Sequence, residues 1–189
     1  GLFDADGTYT FDLQGIDANG ALIPGDMPTS AQIEWFTTTG SIVSIGPTSA
    51  DLSPSVNGLQ TITACYGVIC TDYILDIDSG FPVEIFASLS QSSDVNSLTI
   101  TADETVTISA YAVDQHGNLV TNEIINFIVS NGTISSSNVF YPYAVGSQTV
   151  TAEWVGSTNL LQEVLQVEVT PGTPTQIMMS GCGQIINAN

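Results

Sequence analysis

Apolar and polar residues alternate through positions 102–119, with Val106, Ile108, Ala110 and Ala112 on one side and Thr105, Thr107, Ser109 and Tyr111 on the other. A period of two predicts a half-buried β-strand, and Asp114, Gly117 and Asn118 supply the turn that ends it. The same pattern stands at 5–22, a spacing of 97 residues without a gap. Further along, 33–42 matches 125–134, 60–66 matches 148–154, and 75–80 matches 167–172. The matched segments carry the same in-and-out order, so both repeats should share one topology. Trp35 and Phe127 then occupy equivalent core sites, as do Tyr66 and Trp154. A duplication near half of 189 residues predicts two domains of ordinary size.

The second repeat gives the strand plan. Strands are expected at 82–90, 98–100, 105–113, 124–129, 133–134 and 148–154, with a last one carrying Leu165, Val167 and Val169. Ser and Thr fill the polar positions, while Gly, Pro, Asn and Asp separate short apolar runs. That combination predicts an antiparallel β-sandwich.

The residues T-V-T-I-S-A-Y-A-V-D-x-x-G-N-x-V, followed by I-x-F-x-x-S-N-G-T-I and Q-T-V-T-A, carry a resemblance over nearly the whole chain. The chain resembles the bacterial Ig-like (Big) domains of the invasin and intimin group. The resemblance implies an all-β fold of two tandem Ig-like antiparallel β-sandwiches, to which the phase of the repeats adds a C-terminal strand belonging to a following domain. It also implies an extracellular or cell-surface location in a stalk, adhesin or surface-layer array, without enzymatic activity. The chain departs from that pattern in having no basic residues and in its Cys65/Cys70 pair.

The repeats are read out of phase. Residues 172–180 match 80–88, the opening strand of the second repeat. The expected domains are therefore 1–79, lacking its first strand; 80–171, complete; and 172–189, the first strand of a next or neighbouring domain. Thr175, Ile177 and Met179 are the expected inter-subunit strand positions. An unpaired edge in water seeks a partner, which makes a second copy of the chain the expected partner by strand donation. The alternatives are one unit of a longer polypeptide, or a fragment whose ends fall off domain edges.

Charge narrows the partners further. The chain has nineteen Asp and Glu and no Lys or Arg, for a net charge of −19. Nucleic acid and anionic membrane are thereby excluded as electrostatic partners. No apolar run approaches the ~20 residues that span a bilayer, so no membrane insertion is expected. No signal peptide or basic targeting segment is recognisable, so an export signal is expected outside this chain. Without Lys or Arg the chain offers trypsin-like proteases no site and cannot form Lys isopeptide bonds.

The chemistry-bearing residues are few. Cys65 and Cys70 both point away from the core face by alternation and flank a hairpin loop, which predicts a disulfide and an oxidising compartment. Cys182 is either a buried thiol or a partner for another chain. Asp4, Asp6, Asp76 and Asp78 lie near domain junctions and are either solvated charge or calcium ligands; no other cofactor is expected. Asp17 and Asp114 begin matching turns and should accept backbone N–H groups. Asn131 sits in an Asn-Gly-Thr sequence that reads both as a hairpin turn and as a glycosylation site. His116 occupies a turn position held by Asn19 in the first repeat, and no catalytic constellation accompanies it. Three roles fit: a structural unit of an extracellular filament, stalk or surface layer joined head to tail; an adhesin binding glycans or proteins through loop tips; and an accessory module of a secreted enzyme.

Overall fold

The computed structural model describes residues 3–23, 33–89, 95–156 and 159–175, and the structural statements below concern those residues. The strands of the first repeat are β1 (Tyr9–Asp12), β2 (Ile33–Thr37), β3 (Ser41–Ser44), β4 (Ser49–Ser53), β5 (Gly58–Tyr66) and β6 (Ile69–Ile77). Those of the second are β7 (Glu84–Leu89), β8 (Ser97–Thr101), β9 (Val106–Val113), β10 (Leu119–Val120), β11 (Asn126–Val129), β12 (Thr133–Ile134), β13 (Val139–Tyr141), β14 (Gly146–Val155) and β15 (Leu160–Thr170). Among the described residues no helix is long and apolar enough to cross a membrane. By packing the chain divides into two compact units. One is Gly1–Phe86 with Ala110–Asn126 and Glu153–Glu163; the other is Ala87–Ser109 with Phe127–Ala152 and Val164–Asn189.

In the first repeat the sheets run β1-β4-β3 and β2-β5-β6. Alternation sets which side chains meet. Along β5, Gln60, Ile62 and Ala64 are buried; along β6, so are Leu75 and Ile77. Ile62, Leu75 and Ile77 form one core with Ala5 and Leu52, and Phe3, Phe11, Trp35 and Ile42 pack against it. Tyr73, which alternation puts on the same face as Leu75 and Ile77, is exposed and leans toward Phe11 with ring centroids 5.9 Å apart.

The second repeat follows the same plan with added strands. One sheet runs β10-β9-β13-β12 with β7 also on β9, and the other runs β11-β14-β15-β8. Phe140 stands opposite Val106 just as Leu52 stands opposite Tyr9, and both Phe140 and Leu52 are fully buried. Trp154 is buried and its indole N–H donates to Glu123 at 3.0 Å, while its counterpart Tyr66 is only half-buried.

One pairing departs from the antiparallel expectation: β8 lies parallel to β15, Ser97 to Thr101 against Gln166 to Thr170. The chain ahead of β9 splits its allegiance, β7 joining the sheet of β9 and β8 the sheet of β15. A strand reached by so long a connection is free to run parallel. The first repeat keeps the last rung of this ladder, because Asp4 bridges Asp78 in parallel at the positions of Thr101 and Thr170.

Candidate functional site

Two turns with one chemistry stand at Asp17 and Asp114. In each, the aspartate Oδ1 accepts the N–H groups two and four residues on: Asn19 and Ala21 at 2.8 and 2.9 Å, His116 and Asn118 at 2.9 Å each. A short carboxylate can fold back on its own backbone in this way. Gly20 and Gly117 complete the turns at φ of 80° and 83°, a region that side chains disfavour.

The turns differ in what lies across them. Asp114 is 2 % exposed, and its Oδ2 accepts the Gly80 N–H and the Asn118 amide, both at 2.8 Å. The Asn118 amide also donates to the Ser55 carbonyl at 3.2 Å, and its oxygen accepts the Asn57 N–H at 3.3 Å. Burial pushes the Asp114 carboxyl up. The Asn118 side chain and the N–H groups of Gly80, Asn118 and His116 outweigh it and hold the group below the usual carboxylate range.

The chain passes this turn through a tight place. The Phe81 N–H donates to Asp6 Oδ2 at 2.9 Å, and a Cβ on Gly80 would fall 2.0 Å from that oxygen. A side chain at Gly80 would therefore displace the Asp6 carboxylate from this bond. His116 Nε2 stands 3.9 Å from the other Asp6 oxygen.

The same passage is built again after β15. There the Thr173 N–H donates to Asp103 Oδ2 at 2.7 Å, and a Cβ on Gly172 would fall 2.2 Å from that oxygen. Asp103 follows Asp6 at the repeat spacing, and Gly172 and Thr173 correspond to Gly80 and Phe81.

The four aspartates named as calcium candidates take separate places. Asp4 Oδ1 accepts the Asp6 N–H at 3.0 Å, Asp6 holds Phe81, Asp76 is exposed opposite Leu59, and Asp78 bridges Asp4. Among the described residues no group of three or more His, Cys, Asp or Glu is placed to hold a metal ion. Cys65 and Cys70 face each other across β5 and β6, their Cα atoms 4.1 Å apart, and form a disulfide. Cys65 is buried although it shares a face with the exposed Cys70. Asn131 is exposed between β11 and β12, followed by Gly132 at φ 129°. Thr175 is exposed; Ile177, Met179 and Cys182 lie outside the described residues.

Sequence reasoning missed Asp103 and Ser55, and it placed Asn118 in the turn without its bonds to Ser55 and Asn57. A signal existed: Asp6 and Asp103 fall at matching positions of the repeat, and a carboxylate kept there twice suits a structural bond as well as a metal.

No protein-family description matches the sequence, and no curated protein matches it. Solved structures do. The crystal structure of invasin, a bacterial integrin-binding protein, matches over 89 % of this chain at 20 % identity with a TM-score of 0.52. InvD of Yersinia pseudotuberculosis matches over 94 % at 18 % identity with a TM-score of 0.56. The chain spans 38 % of the invasin chain and 58 % of the InvD chain, well under two thirds of either. These likenesses establish the fold: all-β, of the Ig-like sandwich kind found in invasin-type proteins.

Proposed function

We propose that the chain is a structural unit of an extracellular filament, stalk or surface layer, assembled from Ig-like modules joined head to tail. The modules are read from the repeat as 1–79 and 80–171, with 172–189 supplying the opening strand of the next; they cut across the compact units, which reflect packing. The observation that carries this reading is the doubled passage. Asp103 holds Thr173 as Asp6 holds Phe81, so the chain leaves the second repeat as it leaves the first, and there it enters an opening strand.

In that opening strand, β7, Ile85 and Ala87 are buried. Ile177 and Met179 correspond to them and would be the core-facing residues of the donated strand, with Thr175 at its start. The disulfide and the Ig-like fold shared with invasin and InvD support an extracellular place for the protein. The role is non-catalytic, and the partners are further copies of the same modules. Negative-stain imaging of native material should show filaments or an array with a regular axial repeat. Discrete particles at every concentration would overturn the reading.

A second reading has its own observation. Val68 at the β5–β6 hairpin tip is 99 % exposed beside Ile69, and the disulfide closes the base of that tip. An adhesin would grip a protein or glycan with such a loop. Binding of the isolated chain to cells or a glycan array, lost on Val68→Asp, would favour it.

A further inference from the structure

We infer that the Asp17 turn is the docking site for the Gly172–Thr173 passage of another copy of these modules. This rests on the head-to-tail reading above and specifies the surface that the reading leaves undefined.

The template lies within the chain. At the Asp114 turn every outward group is used: Oδ2 takes the Gly80 N–H, and Val120, just past the turn, is 9 % exposed. At the Asp17 turn the inner bonds are the same, but Asp17 accepts with Oδ1 alone. The counterpart of Val120 is Ile23, which is 50 % exposed, and Ile16 and Leu22 beside it are exposed as well. The first-repeat turn is thus a finished receptor with an acceptor and an apolar patch facing water.

The matching ligand is also present. Gly172 corresponds to Gly80, and it is held against Asp103 as Gly80 is held against Asp6. Among the described residues no group accepts the Gly172 N–H. One copy therefore presents the donor and another the acceptor, in a contact whose geometry the chain already makes once. Because ligand and receptor lie on different surfaces, the contact is heterologous and propagates rather than closing into a pair. One position is not copied. Asn118, which bonds Ser55 and Asn57, corresponds to Ala21, so the intermolecular contact lacks two of the bonds of its template.

That difference gives the test. Association of the full chain is measured by sedimentation velocity over a concentration series, with thermal melting to confirm folding. Asp17→Asn keeps a carbonyl for the inner bonds but turns the outward acceptor into a donor. It should weaken association about tenfold or more, since a bond to a charged acceptor is among the stronger kind. Ala21→Asn supplies the missing amide and should tighten association. Ile177→Asp tests strand donation separately. If Ile177→Asp abolishes association while Asp17→Asn and Ala21→Asn leave it unchanged, this inference falls and the head-to-tail reading stands. A wild-type chain that stays monomeric throughout, or an association indifferent to both Ile177 and Asp17, overturns both.

Discussion

The Asp17 and Asp114 turns are chemically the same loop in two environments. Each is closed by one carboxylate oxygen bonded to two backbone N–H groups, with a glycine at a φ near 80°. One stays at the surface; the other is buried beneath Gly80, Ser55 and Asn57. The comparison separates what builds a turn from what turns it into a joint. Oδ1 and the glycine make the bend. Oδ2, the asparagine four residues on and the apolar residue after it make the contact.

Breaking the buried member should have the largest effect. Asp114→Ala strands the Gly80 N–H and the Asn118 amide in a place water cannot reach, at a cost of about 3 kcal/mol. Urea unfolding followed by tryptophan fluorescence reads it, and a loss below ~1 kcal/mol would show that the joint adds nothing to the turn.

Acid sharpens the contrast next. The Asp114 carboxyl is held lower in the folded chain than the ordinary value of about 3.9. Its contribution to stability is present above that range and is lost as the pH falls through the lower folded value. Asp114→Asn should therefore flatten the acid side of the stability profile, read by melting temperature at a series of pH values. An acid limb as steep as that of the unaltered chain would mean that other carboxylates govern it.

The smallest effect belongs to the exposed member. Asp17→Ala removes two bonds that water can replace and should cost about 0.5 kcal/mol in the monomer. A loss equal to that of Asp114→Ala would erase the distinction.

Much of this architecture was legible in the sequence. The long strands announced themselves because each places two or more alternating side chains on the core, as Leu75 and Ile77 do on β6 and Leu165, Val167 and Val169 on β15. β4 and β13 were not foreseen. Each is anchored by a single large side chain, Leu52 or Phe140, and Ser49-Ala50-Asp51-Leu52-Ser53 has little in common with Val139-Phe140-Tyr141. Periodicity needs several positions to show, and these strands offer two at most, Ala50 with Leu52 on β4 and Phe140 alone on β13; only their pairing with β1 and β9 reveals that they are equivalent.

The turn aspartates were foreseen because their bonds are local. The partners of Asp114 Oδ2 were not, since Gly80 lies 34 residues away and nothing near Asp114 marks it. The disulfide was anticipated from hairpin geometry, but the burial of Cys65 was not, because alternation assigned it to the outer face.

The parallel seam of β8 and β15 has a mechanical consequence. Tension that enters through β8 and leaves through β15 pulls the two strands in opposite directions along their own length. All five rungs, from Ser97–Gln166 to Thr101–Thr170, are then strained together instead of opening one after another like a zipper. A chain drawn taut along its length would load this seam in shear.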